Sequence, residues 1–223
     1  MSIASNLVSI RKQIPEQVEL VCVSKFHPDE AVISAYNEGE RIFGESKVQE
    51  MTGKYERLPK DIQWHFIGHL QTNKVKYIVP YVHLIHGVDS EKLLAEINKQ
   101  AAKCHRKVNC LLQIHIATED TKFGFDKAEL TAMLNQDFRS KYPFIEFCGL
   151  MGMATFTDNK EQVQTEFNML KSIFDDLKSQ YFQTDSNFKT LSMGMSDDFK
   201  VAIECGSTMV RIGSSIFGNR NYN

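Results

Sequence analysis

Eight short apolar runs recur along these 223 residues, and seven of them are followed by a stretch with helical spacing. The runs are VELVCVSKF (18–26), RIFGES (41–46), IQWHFIG (62–68), VHLIHGVD (82–89), NCLLQIHIA (109–117), IEFCGLMGMA (145–154), FKTLSMG (188–194) and STMVRIGSSIFG (207–218). Short runs that are apolar on both faces read as strands of a parallel sheet, because parallel neighbours need crossover connections that cover both sides. Eight such units close into an α/β fold, a single (β/α)8 TIM-type barrel. An open doubly wound sheet is the alternative; it usually carries a GxGxxG loop after its first strand, where this chain has SKFHPDE.

Local signals refine this reading. Ile3, Leu7, Ile10 and Ile14 form one stripe of an extra N-terminal helix that Pro15 ends. Asp29 is expected to cap the second helix and Gly39 to end it. Ser90 reads as another N-cap, and Asp158 with Glu161 as the capping box of a long helix. That helix places Val163, Phe167, Leu170, Phe174 and Leu177 on one core-facing side. No linker or shift of composition divides the chain, so residues 1–223 are expected to form one domain.

A net charge of −2 offers no basic field for nucleic acid or an anionic membrane. The opening MSIASNLVSIRKQIPEQ lacks the order of a secretion signal, and no apolar run approaches the roughly 20 residues that span a bilayer. Cys22, Cys104, Cys110, Cys148 and Cys205 are odd in number, scattered and without a CxxC pair, which suits reduced thiols in the cytoplasm. His65 and His69 sit four apart at a strand end without a third ligand, so no metal is expected.

In a barrel, reactive groups lie at the C-terminal ends of the strands and in the loops that follow. Lys25 ends the first run. In a desolvated mouth its ammonium form is disfavoured, and the free amine can attack an aldehyde; a solvated lysine at a strand terminus is the other reading. LSMGMS (191–196) and RIGSS (211–215) put small residues and hydroxyls at the ends of the last two strands. Backbone N–H groups of Ser192, Met193, Gly213 and Ser214 can surround a phosphate there, although tight-turn glycine explains the same residues. Arg211 can face a pyridine nitrogen or make a structural ion pair. Met151 and Met153 read as barrel lining, and Cys22 as an inert buried thiol.

Seven blocks resemble the pyridoxal phosphate (PLP) homeostasis protein family, small barrels similar to the N-terminal domain of alanine racemase. They are VCVSKFHP around Lys25, FGESKVQE (43–50), WHFIGHLQTNK (64–74), IHGVDS (85–90), GLMGMA (149–154), LSMGMSDDF (191–199) and VRIGSSIFG (210–218). The resemblance implies that Lys25 forms an imine with PLP, and that Ser192, Gly213 and Ser214 bind its phosphate. It also implies that Arg211 lies near the pyridine nitrogen, that His65 sits at a strand end near the cofactor, and that Met193 makes a backbone contact. Ser46 stands where the family usually has the asparagine of FGEN, which contacts the ring side of PLP; a shorter hydroxyl needs a water to reach the same atom. RIGSS in place of the family's common RIGT keeps the hydroxyl.

The role this implies is PLP buffering or delivery in vitamin B6 homeostasis, without turnover, with PLP-dependent apo-enzymes as possible recipients. A racemase of this type needs a second base from an added β-domain and a partner subunit, whereas this sequence stops at Asn223 just past the eighth strand. A racemase or lyase of low activity is the second hypothesis, and a sugar-phosphate barrel enzyme without PLP the third. No exposed apolar helix face demands a partner, so a monomer is expected.

Overall fold

The computed structural model describes residues 2–118 and 123–218. The eight strands are β1 (Glu19–Val23), β2 (Ile42–Glu45), β3 (Gln63–Phe66), β4 (Leu84–Val88), β5 (Val108–Gln113), β6 (Ile145–Met151), β7 (Thr190–Ser192) and β8 (Met209–Ile212). All pair in parallel with their sequence neighbours, and β1 pairs with β8 to close the barrel. The order expected from the alternation of runs and helices is therefore the order observed.

The helices are α1 (Ile3–Arg11), α2 (Asp29–Asn37), α3 (Val48–Arg57), α4 (Val75–Ile78), α5 (Glu91–Lys103), α6 (Lys127–Leu134), α7 (Phe138–Lys141), α8 (Lys160–Tyr181), α9 (Phe199–Glu204) and α10 (Ser214–Phe217). Several ends depart from the sequence reading. The first helix stops at Arg11, one turn before Pro15, although Ile14 is still buried. Pro28, not Asp29, is the N-cap of α2, because the Asp29 carboxylate turns away to accept two bonds from Arg57 at 2.5 and 3.0 Å. Asn159 caps α8 by accepting from Gln162 N–H at 3.2 Å, which displaces the box expected at Asp158 and Glu161 by one residue. Ser90 caps α5 as expected, at 3.4 Å from Leu93 N–H. The stretch after β3 is only a 3-10 turn (Thr72–Lys74) and the single turn α4. The last run also yields one more helical turn, α10, immediately past β8.

Two apolar layers hold the fold. The larger lies between strands and helices: Leu20, Cys22, Phe43, Trp64, Phe66 and Ile85 point outward onto Val32, Met51, Leu93, Phe167 and Leu170. The smaller is the barrel interior, with Val21, Leu84, Leu111, Met151 and Met209 buried together and Met153 packed against them. Strand alternation separates the two sets, since successive side chains face opposite sides. Met151 and Met153 are thus lining, and the α8 stripe from Val163 to Leu177 is core. Cys22 is buried against the helices, where desolvation raises its thiol well above the usual range.

Gly149 marks a bulge where the β5–β6 register skips Cys148. Its φ is +144°, and an added Cβ would lie 1.8 Å from the Thr190 carbonyl oxygen, so an L side chain meets both strain and backbone overlap. Gly149→Ala is expected to cost about 3–5 kcal/mol and lower Tm by about 10 °C. A calorimetric Tm within about 2 °C of the parent would refute this account of the bulge.

Candidate functional site

Lys25 is half-buried, two residues past the end of β1, at the C-terminal mouth of the barrel. It lies in a four-residue turn closed by His27 N–H donating to the Ser24 carbonyl at 3.1 Å. Phe26, the third residue of that turn, has φ +66°. Glycine or asparagine normally takes that position, and another L residue there costs about 1–2 kcal/mol. The surrounding structure must compensate.

A buried polar group lies behind the turn and accepts the Phe26 N–H. Lys54 Nζ donates to the Ser24 carbonyl at 2.9 Å, to Glu45 Oε1 at 2.7 Å and to Glu50 Oε1 at 2.8 Å. Glu50 Oε1 also accepts the Phe26 N–H at 2.7 Å, and Ser24 Oγ donates to Glu45 Oε1 at 2.7 Å. Glu45 is fully buried, and its Oε2 has no hydrogen-bond partner among the described residues. Desolvation pushes its carboxyl up to about 7, with Lys54 opposing the rise. Sequence reading missed this group. Its signal was a lysine in the apolar stripe of α3, where Val48, Met51 and Lys54 are all buried.

The other side of the mouth is built by β7 and β8. Gly213 follows β8 and adjoins β1: an added Cβ would lie 3.1 Å from the Val23 carbonyl oxygen and 3.2 Å from Val23 Cβ. A side chain there would press on Val23, two residues upstream of Lys25. Ser214, exposed, and Ser215, half-buried, then open α10. Barrels bind phosphate at such a place, where loops seven and eight meet the start of a short extra helix.

Arg211 is buried in the barrel interior, below Gly213. One guanidinium nitrogen donates to the Ser192 carbonyl at 2.9 Å and to Ser192 Oγ at 2.6 Å; the other donates to the Gly152 carbonyl at 3.2 Å. Burial lowers its pKa to about 10, with the charge of Asp198 opposing the shift. It stays cationic at neutral pH. Among the described residues no carboxylate reaches ion-pair distance of Arg211, so the structural ion pair is not formed.

Three site residues expected from sequence occupy different roles in this geometry. The Ser192 hydroxyl is turned inward, between Arg211 and His86 Nδ1 at 3.1 Å, and so orients the arginine instead of facing the loop. Met193 has both backbone groups committed: its N–H donates to the Met209 carbonyl at 3.2 Å and its carbonyl accepts from Ser207 Oγ at 2.8 Å. It is part of the sheet. His65 is the third residue of β3, fully inside the barrel, with Nδ1 3.0 Å from His86 Nε2. It lines a polar cavity of about 380 Å3 at the N-terminal end of the barrel, alongside Gln63, His83, Asn109 and Lys189. Its connection to the mouth is indirect, through His86 and Ser192. Ser46, half-buried, is on the mouth side, one residue past β2.

Both buried histidines are neutral. Desolvation, followed by the charge of His83, lowers His65 to about 3. Desolvation, followed by His65 and Arg211, lowers His86 well below its usual value. Since arginine only donates, the Ser192 hydroxyl accepts from Arg211 and has its own hydrogen to give to His86 Nδ1. His86 then donates from Nε2 to His65 Nδ1, which leaves the proton of His65 on Nε2, an atom without a partner among the described residues.

The chain has known relatives in both sequence and fold. Residues 1–221 match the family described as alanine racemase, N-terminal domain. A pyridoxal phosphate homeostasis protein of Aquifex aeolicus is 40% identical over 205 residues, 92% of this chain and 88% of the relative. The PipY protein of Synechococcus elongatus, solved without PLP, superposes with TM-score 0.91 at 36% identity, over 97% of this chain and 100% of that one. The same protein with PLP bound gives TM-score 0.88 at 35% identity and the same coverage. An alanine racemase of Clostridium difficile shares the fold, with TM-score 0.81 at 15% identity, this chain matching 60% of its length. The half-buried lysine after β1, the glycine after β8 that adjoins Val23 and the buried arginine beneath thus stand in a barrel whose named relatives share one cofactor, and the chain belongs to the pyridoxal phosphate homeostasis protein family.

Proposed function

We propose that this protein holds PLP covalently on Lys25 and buffers or hands on the cofactor in intracellular vitamin B6 homeostasis, without turnover of its own. The observation that carries the reading is Lys25 at the mouth end of β1, two residues past Val23, against which the Gly213 backbone lies. PLP supplies an aldehyde that an amine captures reversibly, a phosphate and a ring nitrogen. The residues present fit all three. Lys25 provides the amine. Gly213, Ser214 and Ser215 provide small residues and two hydroxyls for the phosphate where β8 opens into α10. Arg211 provides donors only, so opposite a ring nitrogen it leaves that nitrogen without a proton, which suits storage better than carbanion chemistry.

The Ser192 hydroxyl and the Gly152 carbonyl hold the guanidinium in place, and the two neutral histidines beneath can take up no proton near pH 7. Neither histidine is therefore a proton donor at neutral pH. Support for PLP comes from the bound cofactor in the PipY structure and from the names of the relatives. PLP-dependent apo-enzymes are the natural recipients, and the cytoplasm, where the scattered reduced cysteines belong, is the natural compartment; a monomer suffices for binding. No helix among the described residues is long and apolar enough to cross a membrane.

The test pairs absorbance with optical rotation. Purified protein mixed with PLP turns yellow, and single-enantiomer alanine added to it keeps its optical purity over hours. Steady racemisation that disappears in Lys25→Ala would establish an enzyme instead, and a protein that stays colourless would remove PLP altogether.

A further inference from the structure

The turn that carries Lys25 is clamped on both sides of that residue. The Ser24 carbonyl, just before it, accepts from Lys54 Nζ at 2.9 Å; the Phe26 N–H, just after it, donates to Glu50 Oε1 at 2.7 Å. These two contacts are joined to each other by the Lys54–Glu50 bond of 2.8 Å, one helical turn apart on α3. Lys54 is also tied to Glu45, so the clamp is anchored to the end of β2. Lys54 and Glu45 are buried, which keeps water from competing for the same donors and acceptors. The strained residue in the turn, Phe26 at φ +66°, is the one whose N–H the clamp holds.

A buried lysine between two carboxylates serves stability poorly, because desolvation offsets much of the attraction. Its cost is better explained by what it holds. We propose that Glu50, fixed by Lys54 and Glu45, is a positioning residue that keeps the Lys25–Phe26 turn left-handed and thereby sets how tightly the Lys25 amine retains its aldehyde. This rests on the reading of Lys25 as the PLP lysine. With the turn held, the amine starts in its bound place and little ordering accompanies capture. Without Glu50, Phe26 relaxes toward ordinary φ and carries the backbone of Lys25 with it. The clamp touches no part of the cofactor site directly; it acts through the backbone of residues 24 to 26.

The experiment combines Glu50→Ala, Glu50→Gln and Phe26→Gly, singly and as the Glu50→Ala/Phe26→Gly pair. Two readouts are taken: PLP retention on dilution, and hydrogen exchange of the Phe26 amide in protein without PLP. Glu50→Ala is expected to weaken retention about tenfold and to speed Phe26 exchange at least as much. Glu50→Gln, which keeps an acceptor oxygen, should remain within about threefold of the parent. Glycine adopts the left-handed region freely, so Phe26→Gly should remove most of the dependence on Glu50. A helix α3 that merely became unstable would not be rescued by a change in the turn. Retention in Glu50→Ala within about twofold of the parent, or a Glu50 effect unchanged by Phe26→Gly, overturns the clamp. Should Glu50→Ala not fold, Glu50→Met, which fills the same space without an acceptor, takes its place in the same comparison with Phe26→Gly. A parent protein with no adduct on Lys25 would instead overturn the PLP reading, whatever the amide exchange shows.

Discussion

Lys25→Ala is expected to abolish the yellow covalent species and to weaken PLP retention by at least about 100-fold, roughly 3 kcal/mol. The substitution removes the only contact that is covalent, while the cradle at Gly213 and Ser214 and the charge of Arg211 remain. Some PLP should therefore still associate, as the free aldehyde, with fast release. Equilibrium dialysis followed by absorbance separates the two effects. The change is at a half-buried turn outside the core, so the thermal transition of the protein without PLP should move little. Retention equal to the parent would mean that Lys25 is a solvated strand-end lysine, the other reading its sequence allowed.

The second large effect is acid destabilisation traced to the barrel interior. His65 is held near 3 and His86 well below its usual value, both chiefly by burial. An unfolded histidine titrates near 6.5. Below that pH the unfolded chain binds protons that the folded chain does not, so stability is complete above about 6.5 and falls as pH falls. From pH 7.5 to 5 His65 should contribute a loss of about 2 kcal/mol, and His86 a loss of the same sign. Glu45 acts in the opposite direction. Its folded pKa is raised to about 7, so folding takes up a proton between that value and the unfolded carboxyl range, and stability from this group grows on acidification. Two histidines against one glutamate leave a net loss. His65→Gln isolates one contribution, because a glutamine oxygen can still accept from His86 Nε2. Urea unfolding at the two pH values should show a loss smaller by about 2 kcal/mol in the variant than in the parent. Equal losses would mean that His65 is protonated in the folded barrel.

The fold was legible because a fully buried parallel strand needs an apolar run and each run was followed by helical spacing. Strand ends then pointed to Lys25, Arg211, Gly213 and Ser214, all of which lie at or just below one mouth. What could not be read was who holds whose hydrogen bond. Met193 has the right address, yet its N–H belongs to the sheet and its carbonyl to Ser207. Ser192 has the right hydroxyl, yet the hydroxyl serves Arg211. His65 belongs to a run whose visible end is several residues later, and a shift of that size moves a side chain from the mouth to the layer beneath. The clamp was hidden for a different reason: Lys54, Glu50 and Glu45 look like ordinary charged helix and strand-end residues until burial shows them facing inward. The cap of α8 moved from Asp158 to Asn159 because either side chain can accept from a helix N–H, and only the backbone path chooses.

The central claim is that one lysine carries the cofactor, and borohydride reduction followed by peptide mass mapping tests it most directly. The account predicts a single phosphopyridoxyl group on the peptide containing Lys25, and none on that peptide in Lys25→Ala. A phosphopyridoxyl group on any other lysine, or protein that remains unmodified after incubation with PLP and reduction, would contradict it.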